Sequence, residues 1–149
     1  MTDATAYQPD YSEARAAVVR EALSWMGTPY HHAAGVKGAG VDCAFLLIRV
    51  FQACGLAPED LDPRPYPRDW HLHQDGERYL GWIGRYCHRV VEPRPADIAL
   101  FKFGRCVSHG AIVTAWPMVI HAWAGEGVRL MEADRGPLEQ RLAGFWSVF

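Results

Sequence analysis

From Ser12 onward, apolar residues recur at helical spacing, with Ala16, Val19, Leu23 and Met26 at i, i+3, i+7 and i+10. Ser12 can cap such a segment and Gly27 can end it, so the pattern predicts a helix from about Glu13 to Met26. Thr28-Pro29-Tyr30 and the small, Gly-rich residues up to Gly40 predict a loop. Between Cys43 and Cys54 only Arg49 and Gln52 interrupt the apolar run, and Gly55 follows. This predicts a central helix buried on most sides. Residues 57–70 are rich in proline and predict an irregular excursion, and Glu77 to Cys87 predict a short helix bearing Tyr79, Leu80, Trp82, Ile83 and Tyr86. The second half changes period. "DIALFKF", "HGAIVTAW", "MVIHAW" and "GVRLMEA" are short apolar runs separated by Gly or Pro, the pattern of an antiparallel meander. Helices first and strands later predict an α+β fold, with a small antiparallel sheet packed on the central helix.

Length adds that residues 1–149 suffice for a single domain with its own core, residues 1–10 being flexible by composition. Half of the residues are apolar and about a fifth are charged, which excludes a disordered chain. A net charge of −2 and a pI near 6.4 speak against nucleic-acid binding. The local excess of Lys and Arg between Arg64 and Arg105 reads as a solvated surface, or as a greeting for a small anionic substrate. The N-terminus lacks the basic and apolar regions of a signal peptide, and no run is long enough to span a membrane. These features predict cytoplasmic synthesis without an export signal and without membrane insertion. Cys43, Cys54, Cys87 and Cys106 form no CxxC pair, so neither a zinc ribbon nor a thioredoxin-like motif is indicated.

Candidate chemistry begins at Cys43, in the first turn of the central helix behind Asp42 as N-cap. Unpaired backbone N–H groups and the positive end of the helix dipole favour a thiolate there. Cys54, in the last turn, reads as inert core. A base is available in His109 and His121, on what read as adjacent strands joined near Trp116-Pro117. A connection centred on Ala115 sets the two histidines opposite each other on one sheet face. A two-residue Trp-Pro turn pairs 115 with 118 and sends them to opposite faces. In the first register His109 can take the proton of Cys43 while His121 holds the other ring nitrogen.

These residues match a family pattern. Trp25, Gly27, Pro29 and Tyr30 upstream, Asp42-Cys43 opening a helix, "PADIALF", then Ser108-His109-Gly110 and Ile120-His121-Ala122 resemble the NlpC/P60 papain-like cysteine peptidases from about Trp25 to Ala122. The resemblance implies Cys43 as nucleophile, His109 as general base and then acid, and His121 as orienting third member. It implies that Tyr30 helps to position substrate or stabilise the oxyanion beside Asp42, that the substrate is a peptidoglycan stem peptide, and that no metal or other cofactor is needed. The backbone N–H of Cys43 is the natural oxyanion donor on physical grounds also. Two departures stand out: Ala44-Phe45 replaces the family's usual Ser-Gly after the cysteine, and "HHAAG" replaces its Gly-Gly after the tyrosine. They suggest the branch of tail-tip cell-wall hydrolases of phages and gene transfer agents, with tail-tip proteins as partners and delivery to the periplasm or cell wall by the particle.

His31, His32 and Ser108 are candidate cleft residues beside these motifs. "DWHLHQDGERYL" adds Trp70, His71 and His73, which in an extended segment could contact substrate or, with Asp69 or Asp75, a metal. A polar insertion packing Trp70 and Leu72 on the body is the blander account. The same residues fit three rival functions: another amide chemistry such as deamidation, a degenerate papain-like plug or adaptor in a tail assembly, and a zinc-binding module. Keeping Cys43, both histidines and Tyr30 together argues against a purely structural role.

Overall fold

The structure is a computed structural model that describes residues 11–64 and 78–149. Helix α1 (Ser12–Leu23) leads through a loop and a two-stranded ribbon, β1 (Gly35–Val36) and β2 (Gly40–Val41), into helix α2 (Cys43–Ala53). Helix α3 (Arg78–Tyr86) precedes the strands β3 (His88–Val90), β4 (Ile98–Phe103), β5 (Cys106–Ala115), β6 (Met118–Trp123), β7 (Gly127–Glu132) and β8 (Leu142–Ser147). The class is α+β, as the order of patterns predicts.

Helix α1 buries a different stripe from the one its apolar residues suggest. Arg15, Val18, Ala22 and Trp25 face inward, at the same spacing moved by one residue, while Ala16, Leu23 and Met26 are exposed and Val19 is half-buried. The cause is Arg15. Its guanidinium lies 2.7 Å from the Asp97 carboxylate and also donates to the Pro95 carbonyl and the Ser147 hydroxyl, so α1 is rotated to place a charge in the interior. The helix begins at Ser12 itself, with Tyr11 at the N-cap and no side-chain cap.

Helix α2 is central. Cys43 through Leu47, Val50 and Phe51 are buried, and Arg49 and Gln52 lie on its more open side. It packs on one face of the sheet with Val41, Tyr79, Ile98, Leu100, Ile112 and Ile120 in a common core. A second cluster, including Phe101, Ala111, Val113, Val119 and Phe145, covers the opposite face.

The sheet is antiparallel in the order β3-β8-β4-β5-β6-β7. The meander expected from the sequence holds for β4 to β7 only. Strand β8 returns to lie between β3 and β4, and neither β3 nor β8 was expected: β3 is three residues long and β8 is bulged at Ala143, where its register with β4 shifts. Both lack the alternation that marks a strand.

The buried Arg15–Asp97 pair joins the first helix to the start of β4, and the second oxygen of Asp97 accepts from the Arg94 N–H. Removing one partner leaves an uncompensated charge in the core. Asp97→Ala is expected to cost about 3–5 kcal/mol in chemical denaturation, and the double variant Arg15→Met/Asp97→Ala is expected to cost less than the sum of the singles.

Candidate active site

Cys43 is the first residue of α2 and Asp42 its N-cap, with extended backbone angles. The Asp42 carboxylate accepts from the Phe45 N–H at 2.9 Å through one oxygen and from the Ala33 N–H at 2.8 Å through the other. One side chain therefore ends the preceding loop and starts the helix, which fixes where the thiol projects. Ala33 is held at φ +57°, a left-handed conformation unusual for alanine, within the "HHAAG" stretch.

The sulfur rests on the main chain of β5. Sγ lies 3.8 Å from the Ser108 carbonyl oxygen, and the backbone N–H of Gly110 also acts on it, so the two groups that flank His109 both face Cys43. Ser108 thus contributes its carbonyl. Gly110 is required to be small, because a Cβ there would meet the Tyr79 hydroxyl at 2.4 Å and Leu47 at 2.8 Å.

His109 and His121 share the sheet face opposite α2 and are joined by a 2.8 Å hydrogen bond between His109 Nε2 and His121 Nδ1. The connection is the two-residue turn, the second alternative posed by the sequence, and a bulge restores the shared face expected of the first. Ala115 pairs with Met118 across a two-residue Trp116-Pro117 turn, which alone would separate the histidines. A bulge at Thr114 then shifts the ladder by one, so that Val113 pairs with Val119 and Ile112 with Ile120. Continued to the histidines, that register sets His121 across from Ala111, two residues from His109 on the same face. They are diagonal neighbours rather than directly opposed.

The imidazoles sit in an aromatic box. Phe103 and Trp123 meet His109 edge-on at 5.8 and 5.4 Å, Phe101 lies at 6.0 Å, and Trp123 also lies 5.4 Å from His121. Burial, then the neighbouring His121, hold His109 well below the usual imidazole value. Burial, then Arg129 on β7 directly across from it, hold His121 down at about 4. Both are therefore neutral at pH 7. His121 Nε2 has no hydrogen-bond partner among the described residues.

The thiolate expected at the helix N-terminus is not the resting form. Burial raises the Cys43 thiol strongly, and the charge of Asp42 adds to it, while the backbone N–H groups of Gly110, Ala44 and Cys43 oppose the shift without cancelling it. Desolvation outweighs the helix terminus. Among the described residues the sulfur makes no hydrogen bond to either imidazole. The His109 nitrogen left for it is Nδ1.

Tyr30 is half-buried and bridges by its backbone to Val41, two residues before Cys43. His31 is exposed and lies over Gly40, whose Cβ would meet its ring at 2.7 Å, and His32 is half-buried in the same loop. Trp70, His71 and His73 lie outside the described residues, as do Asp69 and Asp75. Among the described residues no three His, Cys, Asp or Glu side chains gather to hold a metal ion, and no helix is long and apolar enough to cross a membrane. Sequence reasoning passed over Phe103, Trp123 and Tyr79 as parts of the site. Only the glycine after His109, in the middle of a strand, signalled that another element comes close.

No family model and no curated protein sequence matches this chain. Solved structures do match it. An NlpC/P60 family protein from Bacillus cereus superposes with a TM-score of 0.64 at 19% identity, over 88% of this chain and 39% of that one. A lipoprotein-like NLP/P60 protein from Staphylococcus aureus gives a TM-score of 0.66 at 20% identity, over 97% of this chain and 44% of its own length. The chain thus spans roughly two-fifths of those two proteins. The NlpC/p60 domain of the peptidoglycan hydrolase SagA gives 0.58 at 20% identity, over 89% of this chain and 96% of that domain. The fold of this chain is the papain-like fold of NlpC/P60 proteins.

Proposed function

We propose that the chain is a cysteine peptidase or amidase that hydrolyses amide bonds in peptidoglycan stem peptides. The observation that carries this reading is the convergence at β5: Cys43, fixed at a helix N-terminus, rests on the main chain either side of His109, and His109 is hydrogen-bonded to His121. The kinship of fold with a peptidoglycan hydrolase domain supports the choice of substrate.

The tautomer that serves catalysis has His109 Nε2–H donating to His121 Nδ1, leaving the lone pair of His109 Nδ1 free. Attack calls for Sγ to exchange the Ser108 carbonyl for that nitrogen, a movement that must include the β5 backbone at His109, because the imidazole lies on the sheet face away from α2. The thiol proton passes to Nδ1 as sulfur attacks the carbonyl carbon, and the Cys43 backbone N–H faces the developing oxyanion. The C–N bond breaks as His109 returns the proton to the leaving amine, giving a thioester. Water then attacks, passing a proton through His109 to the departing sulfur. Because both partners rest neutral, proton transfer belongs to the attack step rather than to a standing ion pair.

Delivery by a phage-like tail tip completes the reading and rests on the Ala44-Phe45 and "HHAAG" departures alone. Phe45 is fully buried, with the guanidiniums of Arg49 and Arg64 at 5.2 and 5.0 Å from its ring. The replacement is therefore accommodated by the fold rather than left as a defect.

Incubation with muropeptides from diaminopimelate-type peptidoglycan, read by mass spectrometry, tests the assignment. Wild type is expected to cleave and Cys43→Ala to be inactive. Intact substrate across several stem-peptide chemistries, with an active control hydrolase, would overturn the peptidoglycan reading.

A second expectation concerns pH. With His109 held well below the ordinary imidazole value of 6.5, the acid limb of kcat/KM should lie below that value. The depressed values of both imidazoles mean that the unfolded chain binds protons the folded chain refuses. Stability is therefore fully present above the unfolded value of 6.5 and is lost as pH falls toward about 4. His121→Asn retains an acceptor for His109 and cannot titrate. It should flatten the decline of thermal stability between pH 6.5 and 4, and an unchanged slope would refute the role given to His121 burial.

A further inference from the structure

Tyr79, on α3, is 2% exposed and its hydroxyl donates to the carbonyl oxygen of Cys43 at 3.3 Å. The same hydroxyl sits against the Cα of Gly110, where a Cβ would lie 2.4 Å from it. Those two contacts involve the residues whose backbone faces the sulfur: Cys43 and Gly110 both present N–H groups that favour its ionised form. Tyr79 is therefore wedged between the first turn of α2 and the β5 main chain, where the spacing of the two sets how the donors meet Sγ.

We propose that Tyr79 is a positioning residue for Cys43. Its hydroxyl holds the Cys43–Ala44 peptide and the Gly110 backbone at the separation that lets the Ala44 and Gly110 N–H groups act on the sulfur, and the absence of a side chain at Gly110 admits it. This rests on the reading of Cys43 as the nucleophile but is independent of which amide is cleaved. The ring itself serves packing, since with Leu47 and Trp82 it lines the apolar cavity between α2 and α3. The hydroxyl is what a purely apolar role does not need: a buried phenol requires a polar partner, and here the partner chosen is the carbonyl of the reactive residue.

Tyr79→Phe separates the two roles, because it keeps the ring and removes only the donor. The rate of Cys43 alkylation by iodoacetamide, followed against pH in folded protein, reads the thiol directly and needs no peptide substrate. The profile of Tyr79→Phe is expected to move upward by about half a pH unit. With muropeptides, kcat is expected to fall roughly three- to tenfold with KM little changed, in line with the loss of one hydrogen bond that aligns the nucleophile. Gly110→Ala provides an independent check. It should slow alkylation in the wild-type background by collision with the hydroxyl, and less so in the Tyr79→Phe background, where the nearest atom is gone. A Tyr79→Phe profile superimposable on wild type, or a Gly110→Ala effect equal in both backgrounds, would overturn the proposal. A shifted alkylation profile in a protein that cleaves no muropeptide would leave the positioning role standing and remove the peptidoglycan reading alone.

Discussion

The arrangement of the site depends first on the Asp42 carboxylate. It is 2% exposed and spends one oxygen on the Phe45 N–H and the other on the Ala33 N–H. Its own N–H donates to the Ala34 carbonyl, so the loop is closed onto the helix start by three hydrogen bonds. A carboxylate is suited to this because each oxygen can accept separately, and charge-assisted bonds are stronger than neutral ones. The bond to Ala33 also helps to hold an alanine in a left-handed conformation that costs about 1–2 kcal/mol. The same charge opposes ionisation of the thiol beside it. Geometry and electrostatics are thus in tension at one residue.

That tension is consistent across the site. Cys43, His109 and His121 are all buried, and burial pushes each toward its neutral form, upward for the thiol and downward for the imidazoles. Held neutral, these three side chains make small demands on the surrounding fold, since none of them is a charge that has to be solvated. On the proposed reading of Cys43 as nucleophile, charge develops only in the attack step, in surroundings where backbone N–H groups already act on the sulfur.

Phe45 shows how the fold absorbs a bulky residue under the reactive end of α2. Gly35 passes so close that a Cβ would lie 2.6 Å from the Phe45 ring, and Arg49 reaches across to the Gly35 carbonyl at 3.0 Å. The loop between Tyr30 and Gly40 is therefore shaped to the helix beneath it. The large side chain at 45 and the missing one at Gly35 are matched parts of one packing.

Local physics made much of this legible in the sequence. The apolar run from Phe45 to Phe51 and the Asp42-Cys43 pair specify a capped, buried helix, and the four central strands declare themselves by short apolar runs between turn residues. What sequence periodicity could not supply were choices made by distant partners. The rotation of α1 follows from Arg15 meeting Asp97, which no local pattern encodes. Strand β8 takes its place by pairing with β3 and β4 despite its weak alternation. The pairing of His109 with His121 depends on a single bulge at Thr114, and a one-residue slip moves every side chain to the other face. The resting state of Cys43 was likewise decided in three dimensions. The sequence determined that the thiol would open a helix, but the burial that outweighs the helix terminus comes from packing α2 on the sheet, a property of the assembled core.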